Sequence, residues 1–183
     1  MAEYEFTFKF ALTDAQADPA DYVERLAEAG CDDALLGLGK KGRIALEFVR
    51  EAASARDAVM SAFADARKAL PNAQLIEVSP DLVGLTDIAE VMACSRQNVR
   101  KIVLLDSSFP TAIHEGSLEL FHLADVLAWA GHHRTGRSVD VRILEVASVN
   151  REINLANQLR VLKRRQVSAE IASLCNPERL QRQ

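Results

Sequence analysis

Tyr4, Phe6, Phe8 and Phe10 alternate with Glu3, Glu5, Thr7 and Lys9 at the start of the chain. A period of two puts the four aromatics on one side of a β-strand and the polar residues on the other. Asp18-Pro19 then opens a predicted helix running to about Ala29, with Tyr22, Leu26 and Ala29 on one face and Gly30 as its stop. Asp33 to Leu38 reads as a second strand and Gly39-Lys40-Lys41-Gly42 as a turn. Arg43 to Val49 follows as a third strand with Ile44, Leu46 and Phe48 inward. Over Ser54 to Leu70 the period becomes helical, burying Val59, Ala62, Phe63, Ala66 and Leu70. Pro71-Asn72 ends that helix, and Gln74 to Val78 is a fourth strand.

The order strand, helix, strand, strand, helix, strand predicts a ferredoxin-like sandwich, two helices on one face of an antiparallel sheet. The other face carries Glu5, Thr7, Lys9, Arg43 and Glu47 and is expected to be wet. Such a fold hosts unrelated functions, so by itself it assigns none. Ser79-Pro80-Asp81 marks a boundary, because proline biases the preceding residue to extended geometry and cannot continue a central strand.

Beyond that boundary the pattern turns helical twice in quick succession. Thr86 is placed to cap a helix with Ile88, Ala89 and Met92 inward, and Ser95 to cap a second with Val99, Ile102 and Val103 inward. This arrangement leaves Arg96, Gln97, Asn98, Arg100 and Lys101 outward, with amide and guanidinium groups suited to base edges and phosphates. Phe109-Pro110 leads into a hairpin with Ile113-His114-Glu115-Gly116-Ser117 at its tip, where His114 and Ser117 are candidate phosphate contacts. Phe121-His122-Leu123-Ala124-Asp125-Val126-Leu127-Ala128-Trp129 closes the unit, with Phe121 and Trp129 expected in its core.

This segment resembles the winged helix-turn-helix of excisionase and AlpA-type regulators, relatives of the MerR DNA-binding domain. The resemblance rests on a Leu-Thr-led first helix, a Ser-Arg start to the second, the Phe-Pro hairpin and the Asp-Val-x-x-Trp closure. It covers roughly a quarter to a third of the chain, and implies that the second helix enters the DNA major groove. Arg96 and Asn98 are then the first candidates to read bases, Gln97 a further one, and Arg100 and Lys101 phosphate contacts. Two departures stand out. The turn is Ala93-Cys94-Ser95, where the family more often has glycine, which calls for a left-handed backbone at a residue other than glycine. The wing, Thr111 to Leu120, carries no lysine or arginine.

Gly131 to Ser138 is polar and glycine-punctuated, so Arg134 and Arg137 read first as parts of a solvated linker. From about Val141 the chain turns helical again, with Leu144, Ala147, Ile153, Ala156, Leu159, Leu162 and Val167 among its apolar positions. Asn150, Asn154 and Asn157 interrupt that stripe. A helix of this length needs a partner, either the winged unit or a second chain. The basic run Lys163-Arg164-Arg165 suits its C-terminal half. The expected organisation is α+β: a ferredoxin-like domain over 1–79, a winged helix-turn-helix over 81–130, and a C-terminal dimerisation helix over 138–176.

Composition narrows the function. With 49% apolar and 26% charged residues in 183, the chain has the makings of an ordinary globular protein. Its net charge of −4 is uneven: nine basic against fourteen acidic residues over 1–80, five against seven over 81–137, and eight against five over 138–183. So modest a basic complement implies few phosphate contacts, about four per protomer, and weak non-specific binding. No apolar window is long enough for a membrane span, and the acidic start is unlike a secretory signal, which points to the cytoplasm. Cys31, Cys94 and Cys175 are widely separated, which argues against disulfides and zinc fingers. Neither His132-His133 nor the other histidines have ligand spacing, so no metal or cofactor is expected. No nucleophile elbow, P-loop or dinucleotide turn is present, and no catalytic residues are assigned.

The expected function is a sequence-specific DNA-binding transcriptional regulator, a repressor acting as a homodimer on an inverted repeat of double-stranded DNA. Two rivals fit the same residues. One is an antitoxin-like or phage-defence adaptor with autoregulatory DNA binding and a protein partner on the N-terminal domain. The other makes that domain a small-molecule sensor.

Overall fold

The structure, a computed structural model, describes residues 1–133 and 139–163. It is α+β, and its first unit is a four-stranded antiparallel sheet. β1 (Ala2–Ala11) pairs along its whole length with β3 (Arg43–Ala52), from Ala2 opposite Ala52 to Ala11 opposite Arg43. The outer strands are β2 (Ala34–Gly37) beside β3, and β4 (Gln74–Ser79) beside β1, giving the order β2-β3-β1-β4. A single 3-10 turn (Pro19–Tyr22) leads into α1 (Val23–Glu28), where one longer helix was expected. The third strand also runs past its expected end at Val49, because β1 offers it partners up to Ala2.

The expected alternation decides which face is buried. Tyr4, Phe6, Phe8 and Phe10 are buried together with Ile44, Leu46 and Phe48, and their rings interlock, Phe6 stacking on Phe48 at 5.4 Å and Phe8 meeting Phe63 edge-on at 5.5 Å. Each such side chain contributes roughly 1.5–3 kcal/mol through removal from water. α2 (Ala55–Ala69) covers this face with Ala58, Val59, Ala62 and Ala66, and the Ser54 hydroxyl caps it by accepting the Asp57 amide at 3.1 Å. Glu5, Lys9, Arg43 and Glu47 are exposed on the opposite face, with Thr7 half-buried among them.

At the end of the buried face, Arg50 occupies the next inward position of β3 after Phe48. Its guanidinium lies over the Phe48 ring and donates to both Asp33 carboxylate oxygens, to Asp65, to the Ser61 hydroxyl and to the Gly30 carbonyl. Three separate segments are tied by one side chain.

The second unit comprises β5 (Leu82–Val83), α3 (Leu85–Val91), α4 (Arg96–Leu105), β6 (Phe121–His122) and α5 (Leu123–His132). It has a core of its own, built on Ile88, Val99, Phe109, Phe121, Leu127 and Trp129. α6 (Val141–Lys163) joins both units: Val146, Val149 and Ile153 pack into the sheet core and Ala147 into the second core.

The asparagines that interrupt the stripe of α6 have partners of their own. β4 is an edge strand, and its outer side would leave backbone groups unpaired. Asn154 accepts the Val78 amide and donates to the Val78 carbonyl, both at 2.8 Å, while Asn157 donates to the Leu75 carbonyl at 3.0 Å. Asn150 donates to the Pro80 carbonyl at 3.1 Å. Side-chain amides at helical spacing thus replace a missing fifth strand. Much of the inward face of α6 is therefore satisfied within the chain, although Leu155, Leu159 and Leu162 stay exposed. Residues 138 and 164–176 of the expected dimerisation helix lie outside the described residues. Among the described residues, no helix is long and apolar enough to cross a membrane.

Candidate nucleic-acid interface

α3 starts at Leu85, and its first turn is capped differently from the expectation. Gly84 takes the cap position, its amide donating to the Asp87 carboxylate at 2.8 Å. Thr86 therefore lies inside the first turn, exposed, and is not the cap. The reason is that a short carboxylate three residues on accepts the amide of the residue before the helix, and glycine suits that extended position.

The turn into α4 has the conformation that its sequence called for. The Cys94 amide donates to the Ala89 carbonyl at 2.8 Å and the Ala93 amide to Glu90 at 3.0 Å, a Schellman closure with Ala93 left-handed at φ 47°. An L-residue with a Cβ is strained there. Ala93→Gly is expected to raise stability by about 0.5–1 kcal/mol, the relief of strain exceeding the added freedom of the unfolded chain. Chemical denaturation of the two proteins side by side checks this, and a loss of stability would contradict it.

Ser95 caps α4 as expected, its hydroxyl accepting the Asn98 amide at 3.2 Å. Val99 is fully buried and Ile102 and Val103 pack against the same core, which turns the other side of the helix outward. Ser95, Arg96, Gln97, Asn98, Arg100 and Lys101 are all exposed. Among the described residues Arg96, Arg100 and Lys101 form no ion pair, whereas Lys9, Arg50, Arg56, Lys68, Arg142 and Arg151 each hold a carboxylate. No acidic residue stands in the first turn of α4 either. Three free cations on one short helix, beside its N-terminal amides, make a surface suited to anions.

The far end of α4 is set by Asp106, whose carboxylate accepts the Ser108 hydroxyl at 2.5 Å and the Ser108 amide at 2.9 Å. Those two bonds, the hydroxyl first, hold the Asp106 carboxyl below its ordinary value. Ser108 also accepts the Trp129 indole N–H at 3.0 Å. Trp129 meets Phe109 at 4.9 Å and stacks on His133 at 4.6 Å, so the closing helix α5 is locked to the segment after α4. Trp129 and Phe121 are buried, as expected.

The hairpin is short. Ile113 donates to the Leu120 carbonyl at 2.8 Å and Leu120 to His114 at 3.1 Å, while Val83 opposite Phe121 extends the ribbon at its base. His114 and Ser117 are exposed at the tip. The His114 ring folds over Gly116 so closely that a Cβ there would come within 2.9 Å of its Nε2. Thr86, Arg96 and Arg100 face Ser117 across a groove between the helices and the hairpin, a groove that Asp87 and Glu119 also line. His114, Gln97, Asn98 and Lys101 do not line it. Arg134, Arg137, Arg164 and Arg165 lie outside the described residues.

One functional-looking cluster escaped the sequence. Asp81 is buried between the two units, accepting from His122 Nδ1 at 2.7 Å and from Asn154 Nδ2 at 2.8 Å, while its own carbonyl accepts the Leu123 amide at 2.7 Å. An aspartate after a proline looks like linker, and only the approach of α6 reveals it as a joint. Among the described residues no group of three or more histidine, cysteine, aspartate or glutamate side chains is placed to hold a metal ion. The buried Cys31 thiol is pushed up to about 11 by burial first and by the nearby Asp65 charge second, so it stays protonated near neutral pH. Searched against protein-family models, curated proteins and solved structures, the chain matches none.

Proposed function

We propose that this chain is a sequence-specific DNA-binding regulator in which α4 enters the major groove. The observation that carries the reading is the face of α4 itself: a serine-capped helix, anchored by Val99, with its amide side chains exposed and its cations unpaired. In this reading α3, α4, the hairpin and α5 form a winged helix-turn-helix, and the βαββαβ unit is a ferredoxin-like sandwich. Arg96 and Asn98 read base edges, Gln97 assists, and Arg100, Lys101 and Thr86 take phosphates. The wing, with Glu115 and Glu119 and no basic residue, contributes shape more than charge. Ser117 and His114, exposed at its tip, are its candidate contacts to the backbone.

The reading includes two copies on an inverted repeat, with promoter occlusion as the simplest consequence. The exposed Leu155, Leu159 and Leu162, spaced i, i+4 and i+7 on α6, are compatible with a second chain. Replacing Arg96 or Asn98 with alanine is expected to cost about 1–3 kcal/mol on the preferred site and little on random DNA. Lys101→Ala is expected to weaken both and to reduce the salt slope by about one. Titrations of both duplexes at several salt concentrations separate the roles. Equal losses on both duplexes would remove Arg96 and Asn98 from base reading.

A further inference from the structure

The outward face of α4 continues beyond its polar residues. Gln97, Lys101 and Leu104 follow one another at i, i+4 and i+7, and Asn98, Lys101 and Leu105 at i, i+3 and i+7, so the two leucines extend the same stripe. Leu104 is 71% exposed and Leu105 73%, while Val99, Ile102 and Val103 already supply the contacts of the helix with its core. The leucines are thus surplus to the packing of α4.

We propose that Leu104, flanked by Leu105, reads a thymine C5-methyl group in the major groove. This inference rests on the DNA-binding reading above and adds a specificity determinant to it. A leucine has no donor or acceptor, so it gains nothing from phosphates or from the polar edges of bases. The thymine methyl is the one apolar feature on the floor of that groove. At about 1.5 Å of rise per residue, Leu104 stands about 10 Å beyond Gln97, or about three base steps if the helix lies along the groove. The half-site is therefore composite. Donor and acceptor patterns are read under the first turn of α4, and a thymine under its last.

The test uses the full chain and the duplex it binds best, with each thymine replaced in turn by deoxyuridine, which lacks only the methyl. At one or two positions per half-site the wild-type affinity is expected to fall roughly threefold to fivefold, the scale of one buried methyl. L104A is expected to show that same loss on the thymine duplex and no further loss on the deoxyuridine one. Because Leu104 is exposed, circular dichroism of L104A should match the wild type. An equal loss by L104A on both duplexes would overturn the inference and assign the leucines to contact between protein copies. The absence of any deoxyuridine effect would overturn it too. Failure of the wild-type chain to bind any duplex would overturn the DNA-binding reading, and this inference with it.

Discussion

Asn154→Leu is expected to lower the unfolding free energy by about 2–4 kcal/mol, although it places an apolar residue where a helix interior tolerates one. The wild-type side chain satisfies both backbone groups of Val78 and one oxygen of the buried Asp81. Leucine leaves all three without a partner at a place that water reaches poorly, and buried polar groups left unpaired cost more than the bond they lost. The comparison with Asn157→Ala sharpens the point. Asn157 makes one bond to β4, to the Leu75 carbonyl, so its removal is expected to cost about 1 kcal/mol or less. Denaturant unfolding gives the two values, and hydrogen exchange locates the effect, since the Val78 amide should lose protection in the Asn154 variant alone. Equal small losses for both variants would mean that α6 is not the cover of the sheet edge.

The second large effect is expected at Arg50. Arg50→Met is expected to cost about 2–4 kcal/mol, since every guanidinium hydrogen is used and the carboxylates of Asp33 and Asp65 are left facing a partly buried gap. Arg50→Lys should recover only part of this, because an ammonium cannot reproduce the two-pronged contact with Asp33. The pH dependence has a definite sign. Burial works against ionisation of Asp65, but the hydrogen bonds from Lys68 and Arg50 outweigh it and hold the carboxyl below the ordinary value of 3.8. A carboxyl lowered in the folded state adds stability above its unfolded value, and that stability drains away as pH falls through the folded one. Wild-type stability should therefore decline below about pH 4, and the decline should be shallower in Arg50→Met. Unfolding curves from pH 7 to pH 2 test both statements, and parallel acid profiles would contradict the second.

How much of this was legible in the residues depends on whether the partner was local. The aromatic alternation of β1 and the serine cap at Ser95 are settled by a few neighbouring residues, and they stand in the structure where expected. The left-handed backbone at Ala93 was suggested by the resemblance and not by the residue itself, because a Cβ disfavours it. Thr86 shows the limit even of local reasoning, because Gly84 and Asp87 together offered a better cap two residues earlier than a lone threonine. Long-range partners were out of reach. Asn150, Asn154 and Asn157 look like interruptions of an apolar stripe until β4 is laid beside them, and Arg50 looks like a polar strand end until the turn before β2 brings Asp33 and α2 brings Asp65. Asp81 was hidden for the same reason. The outward residues of α4 were readable because exposure on a short amphipathic helix follows from the spacing of Val99, Ile102 and Val103 alone.

These joints bear on function through α6. It carries both cores and the asparagines that hold β4, so the βαββαβ unit and the unit bearing α4 share one helix. The Asp81 joint with His122 and Asn154 adds a second connection between α6 and the unit bearing α4.

Selection from a random duplex pool at fixed salt, run in parallel with the wild-type chain and with Arg96 and Asn98 both replaced by alanine, tests the proposed role of the α4 face most directly. The expected result is one enriched inverted repeat for the wild type, its half-site centres about 34 Å or a multiple of that apart, and loss of that motif for the double variant. A wild-type pool that stays random, or an identical motif from both proteins, would contradict it.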